Sequence, residues 1–221
     1  MTDKSGTTEL FPRRVEGKTA TALEEIEVIV SELIYALNNM KCAIKFLSSP
    51  DNEDEANIVT NALYRDSIVR FISCFNGKNK LSSEEFCASL DDASEYFQYI
   101  LDLRNSWVAH AHGASQQAEA VVYIDDSGNI IGTGCILFKL CGKDKDEMAQ
   151  FHAFISFALK YAANIKTELE QKFDAEIKNK TREQLLSMKN SSFRALEPEE
   201  VALSRNQYRN KTPPHQWQTR K

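Results

Sequence analysis

Leu103-Arg104-Asn105-Ser106-Trp107-Val108-Ala109-His110-Ala111-His112-Gly113 is the stretch on which the reading of this chain turns. It closes an amphipathic pattern that begins near Ser83, with apolar residues at Phe86, Leu90, Ala93, Phe97 and Ile100. Steps of 4, 3, 4 and 3 residues keep one stripe of a helix turned toward its neighbours. The pattern predicts one helix from about Ser83 to Gly113, started by a Ser82/Glu85 capping box. The next two seam positions are 104 and 107. Trp107 fits, but Arg104 does not, because a guanidinium on a buried stripe costs several kcal/mol unless something pairs with it. Six residues on stands His110, the side chain best suited to moving protons near neutral pH.

The helices on either side read as a bundle. Ile26, Val30, Leu33, Leu37, Met40, Ile44 and Leu47 keep a strict 4-3 alternation, with a capping box expected at Thr21 and Glu24 and an end at Ser48-Ser49-Pro50. A second helix is expected over about 53–75, capped by Asp51 and ended by Asn76-Gly77. Its seam reads Ile58, Ala62, Arg65, Val69 and Ile72, again with an arginine in line and Asp66 beside it. Arg65 is either a snorkelling residue or a second phosphate contact or brace beside Arg104. Asp144 and Glu147 cap a further helix with its seam at Met148, Phe151, Ile155, Ala158, Ala162, Ile165 and Leu169, continuing to Phe173 and Ile177. A short helical segment is expected from Thr181 to Lys189.

Between these helices the period changes from 3.6 to 2. Val121 and Tyr123, then Ile131, Ile136 and Phe138, flank Asp125-Asp126-Ser127-Gly128-Asn129, which predicts a β-hairpin within about 119–140. Thr133 between two glycines suggests a bulge or bend. Two strands alone are marginal, so the hairpin should lean on the helices. The expected fold class is mainly α, an up-and-down helical bundle with one inserted β-hairpin. A flexible arm (1–18), one bundle domain (19–189) and a basic, largely disordered tail (190–221) complete the layout.

Composition bounds what such a chain does. Its 221 residues suffice for one substantial core, and 42% hydrophobic with 27% charged residues is ordinary for a globular protein. The five cysteines are scattered without a C-x-x-C, no segment resembles a signal peptide, and no run could span a membrane. A reducing, cytoplasmic location is expected. Net charge is −5, yet residues 204–221 hold five cations and no acid, which leaves the remainder at −10. That tail, with Tyr208 and Trp217, could meet RNA by charge and stacking, or stay solvated. No Gly-rich phosphate loop is present, and His110, His112, His152 and His215 show no metal spacing with cysteine. His152 is expected on the bundle surface, and Phe151, Phe154, Phe157 and Tyr161 in the core. The Asp125, Ser127, Asn129 pattern reads as a hairpin turn rather than a calcium loop.

Two readings of Arg104 and His110 stand side by side. In one, the arginine pairs with a carboxylate such as Asp66 or Asp102, and the histidine sits at a frayed helix end. In the other, the guanidinium holds a phosphodiester and offsets the extra charge of its transition state. His110 then acts as general acid or base on a ribose 2′-hydroxyl or the leaving 5′-oxygen, and Asn105 donates to the phosphate or orients the histidine. Six residues of ideal α-helix turn through about 600°, leaving the two side chains about 120° apart. A two-fold dimer would bring two arginines and two histidines around one groove. His112 shares the face of Asn105 and serves as an auxiliary contact or stays in solvent.

Arg-Asn-Ser-Trp-Val-Ala-His at 104–110 resembles the arginine–polar–spacer–histidine signature of HEPN domains. It is most similar to the Arg-Asn-x-x-(Ile/Val)-Ala-His variants of bacterial abortive-infection HEPN proteins. Ala62-Leu63-Tyr64-Arg65-Asp66-Ser67 resembles their second-helix pattern, and the likeness covers roughly residues 20–175. The chain departs from the compact pattern in its five-residue spacer and its hairpin. The resemblance implies a dimerising helical bundle and a metal-independent endoribonuclease without cofactor, a toxin or anti-phage defence component. By that likeness Arg104 and His110 form the catalytic pair, Asn105 fills the polar slot, and the partners are an RNA substrate, a second copy and an antitoxin or defence-system protein. Other HEPN domains are inactive assembly modules, so the alternative is a non-catalytic dimerisation or partner- or nucleotide-binding module.

Overall fold

A computed structural model describes residues 12–48, 53–77, 80–91, 93–108, 116–139, 144–189 and 191. The described chain is mainly α with one two-stranded antiparallel sheet. In order it runs α1 (Lys18–Ser48), α2 (Glu53–Ser73), α3 (Ser83–Ala88), α4 (Ser94–Leu103), a π-helix (Arg104–Val108), β1 (Gln116–Ile124), β2 (Ile130–Lys139), α5 (Lys145–Lys178) and α6 (Arg182–Leu186). The chain divides into two compact units, Ala22–Glu170 and a second formed by Met1–Thr21 with Gln171–Lys221.

The first unit holds the hydrophobic core. α1 buries Ile26, Leu33 and Met40 from the expected seam, and Ile29, Ala36 and Ala43 from the flank beside it. α5 buries Met148, Phe151, Phe154, Ile155, Ala158 and Ala162, and Asp144 caps it through the Glu147 amide at 2.8 Å. Between them Phe71 is fully buried, with ring centroids of Phe75, Phe97, Phe151 and Phe154 at 5.1, 6.0, 5.5 and 5.4 Å. One phenyl ring thus ties α2, α4 and α5 together. Phe157 was expected in this core, but it is half exposed because it lies off the α5 seam.

α2 corrects the sequence reading most. Ile58 is 71% exposed and Val69 41%, so the stripe through Arg65 lies on the outer face. The buried residues here are Ala56, Thr60, Tyr64, Ser67, Ile68, Phe71, Ile72 and Cys74, and of the expected seam only Ile72 is among them. Three of these carry hydroxyls, which made the true seam look polar. Ser67 Oγ solves its own burial by donating within 2.8 Å of Leu63 O and 3.1 Å of Ala36 O. Burial also pushes the Cys74 thiol up to about 12.

Where a single helix over 83–113 was expected, the described residues up to Val108 form three helical pieces, and 109–113 lie outside them. Ser82 caps α3 through the Glu85 amide at 3.2 Å, while the Glu85 carboxylate accepts from Tyr161 OH at 3.1 Å on α5 instead of closing the box. The chain then turns through Asp91 at φ 50°, and aspartate is one of few residues beside glycine to tolerate that region. The turn returns the chain in phase: Phe86 and Ile100 are both buried, so the seam survives the break. α1 likewise begins at Lys18, which places Thr21 inside its first turn, its amide bonded to Gly17 O, rather than at the cap. The expected Asp51 cap lies outside the described residues.

The hairpin pairs as expected around Asp125–Asn129, with Gly128 at φ 82°. The Asp125 carboxylate accepts from Ser127 N, Asn129 N and Asn129 Nδ2, which holds its pKa below the usual range, the Asn129 side chain contributing most. The bulge is at Tyr123/Ile124, beside Ile131, and Thr133 pairs in register with Val122. The glycines flanking Thr133 make room instead: a Cβ on Gly134 would meet the Tyr123 ring at 3.3 Å. Among the hairpin side chains that are described, none joins the hydrophobic core cluster or packs against it.

In the second unit, residues 12–17 are held by strand-like hydrogen bonds: Arg14 N donates to Lys189 O at 2.8 Å and Ser191 N to Pro12 O at 2.9 Å. Arg13 reaches Met188 O at 3.1 Å, and Thr19 Oγ1 donates to the Glu176 carboxylate. Thr181 and Gln184 form a full capping box on α6. Among the described residues no helix is long and apolar enough to cross a membrane.

Candidate functional site

The site grows out of the end of α4. Ile100 and Leu103 are buried and fix the last turn of the helix against the core. Arg104 follows as the C-cap, its amide on Ile100 O and Leu101 O, and the chain changes there from α to π winding. Ser106 Oγ donates to Asp102 O at 2.6 Å, a hydroxyl on the i−4 carbonyl that competes with the α ladder at this point. Single π turns of this kind are concentrated at functional sites. They also invalidate the 100° per residue used to place His110 relative to Arg104, since bonding becomes i→i+5.

Arg104 is half-buried and donates from one guanidinium nitrogen to Asn105 Oδ1 at 3.1 Å. Among the described residues no carboxylate pairs with it. The two acids considered for that role are engaged elsewhere. Asp102 accepts from Gln98 Nε2 at 2.8 Å. Asp66 accepts from Asn39 Nδ2 at 2.7 Å and Arg70 Nε at 2.6 Å. Arg70 also holds Glu32 at 2.7 Å and lies over the Tyr35 ring, 5.2 Å from its centroid. The Asp66 hydrogen bond raises the Arg70 pKa first of all, and through Asp66 and Glu32 this network joins α1 to α2.

Arg65 stands half-exposed on α2, the helix that approaches the π-helix. It takes part in an interaction of its own and is not an intrusion into the core. Asn105 is exposed and already in contact with Arg104. His110 and His112 lie outside the described residues. Arg104 and Asn105 are therefore the two expected site residues that the structure brings together.

Three buried polar atoms escaped the sequence reading. His152 Nε2, Thr60 Oγ1 and Asn61 Oδ1 are buried without a hydrogen-bond partner among the described residues. Burial, then the nearby Lys41 charge, lowers the His152 pKa. The residue is partly buried and not on the surface as expected. Its position one residue after Phe151, at the margin of the α5 seam, was the available signal. Burial, then Tyr96 and Tyr99, pushes the Tyr64 hydroxyl up, and burial, then Tyr99 and Glu147, pushes up that of Tyr96. Among the described residues no three or more His, Cys, Asp or Glu side chains are grouped to hold a metal ion.

No family model, curated protein or solved structure matches the chain.

Proposed function

We propose that this protein is a metal-independent endoribonuclease of HEPN type, acting as a toxin or in anti-phage defence. The observation that carries the proposal is Arg104: a half-buried guanidinium at a π turn, touching Asn105 and no described carboxylate. A permanent cation held by packing but not neutralised is what a phosphodiester needs. Arg104 would hold a non-bridging phosphate oxygen and offset charge that grows as the phosphorus becomes five-coordinate. His110 of one copy would take the proton of the 2′-hydroxyl, which attacks phosphorus. The 5′-oxygen leaves with a proton from a second histidine, supplied by a second copy across a two-fold axis. The products are a 2′,3′-cyclic phosphate and a 5′-hydroxyl. Single-stranded or looped RNA suits this path, since the 2′-oxygen must swing into line.

Growth and cleavage together test the proposal. Expression should arrest host growth, and His110→Ala should relieve the arrest. The purified chain should cut a single-stranded RNA in the presence of a chelator and leave a cyclic phosphate end. Intact RNA after prolonged incubation with the parent protein rejects the proposal. The mean charge favours a second reading: a body of charge −10 outside the basic tail suits a protein-binding module better than an RNA groove. That module would dimerise, leave growth unaffected and be indifferent to His110→Ala.

A further inference from the structure

The hairpin exposes an apolar surface that the core does not use. Val122 is 54% exposed, Tyr123 50%, Ile124 62%, Ile130 70%, Ile131 70% and Ile136 38%. Among the described residues the sheet has only two strands, so both are edge strands. Proteins blunt such edges with lysine, proline, inward charges or very short strands. β2 has a lysine only at its last residue, Lys139; Ile130-Ile131-Gly132-Thr133-Gly134-Cys135-Ile136-Leu137-Phe138 before it carries no charge and no proline. β1 is protected by Glu119, which is exposed.

We infer that the outer edge of β2 pairs with β2 of a second copy, antiparallel about a two-fold axis near Gly134, to give one four-stranded sheet. Charge selects both the strand and the occupant. Antiparallel pairing of β2 with itself opposes no like charges, whereas β1 against β1 would bring two Glu119 carboxylates together. Residues 116–139 hold three acids, Glu119, Asp125 and Asp126, against the single cation Lys139, and this acidic balance disfavours nucleic acid and anionic lipid as occupants. Self-pairing also supplies what an isolated hairpin lacks, since two strands alone are marginal and four with a shared apolar face are not. The small residues Gly132, Thr133, Gly134 and Cys135 at the strand centre let two backbones approach without a side-chain clash.

The test is assembly mass by sedimentation of the full chain, free of any assumption about RNA cleavage. Thr133→Lys with Cys135→Lys places two cations on exposed positions of β2. Ala120→Lys with Val122→Lys adds the same charge on exposed positions of β1. The β2 pair should weaken self-association by about tenfold or more, with helix content unchanged, while the β1 pair behaves as the parent. Hydrogen exchange gives a second readout: β2 amides on the outer edge should gain protection as concentration rises, and β1 amides should not. A parent chain that stays monomeric at high concentration, or association that ignores the β2 lysines, overturns the inference.

Discussion

Replacing Arg104 by alanine separates a functional guanidinium from a structural one. In the structure the side chain is half-buried and holds a single described hydrogen bond, 3.1 Å to Asn105, its neighbour in sequence. Such a bond between exposed polar groups contributes under about 1 kcal/mol net. Breaking a buried ion pair would instead cost about 3–5 kcal/mol, because the abandoned charge stays in the interior. No described carboxylate is left behind here, and alanine fits a helical end at least as well as arginine. Arg104→Ala should therefore unfold within about 1 kcal/mol of the parent in equilibrium denaturation, a small part of a typical 5–15 kcal/mol. RNA cleavage should fall by about 10²–10³-fold, the usual cost of one preorganised charge contact in a transition state. Both values come from one protein sample, a denaturant titration and a rate on labelled RNA. A loss of about 3 kcal/mol or more would show that the guanidinium is a structural brace with a buried partner. Cleavage at the parent rate would remove it from the chemistry.

Phe71→Ala deletes a fully buried ring with four aromatic neighbours and should destabilise by about 3–5 kcal/mol, read as a lower denaturation midpoint at constant slope. The true face of α2 is tested by a pair: Ile58→Lys should shift stability by no more than about 0.5 kcal/mol, while Ile68→Lys should prevent folding. Equal damage from both would reject the assigned stripe. His152 has a folded pKa below its unfolded value, so the unfolded state binds the proton more readily. Its contribution is complete above an unfolded pKa of about 6.5 and is lost as pH falls from there through the folded value. The midpoint of thermal unfolding should drop over that window in the parent and drop less in His152→Leu.

α1 and α5 were legible because their seams are apolar; Asp144 caps α5 as expected, while α1 starts before its expected cap. The Asp125 turn was legible because its bonds reach only four residues. α2 was misread because hydroxyls at Thr60, Tyr64 and Ser67 hide a buried face, while Ile58, Ala62 and Val69 mimic one. Arg65 then looked like an intrusion, though it stands on the outer side. Arg104 looked like the same error and is not: the residues before it on its seam, Phe97 and Ile100, do pack on the core. The candidate site was thus half legible, in residue type and place but not in winding.

Taken alone, the sequence determined where helices and hairpin lie, since periodicity, caps and turn residues act over a few positions. Tertiary structure alone decided which face of α2 turns inward, because Ser67 is satisfied by Ala36 O, 31 residues away. That choice depends on a carbonyl brought by another helix, and no local pattern records it.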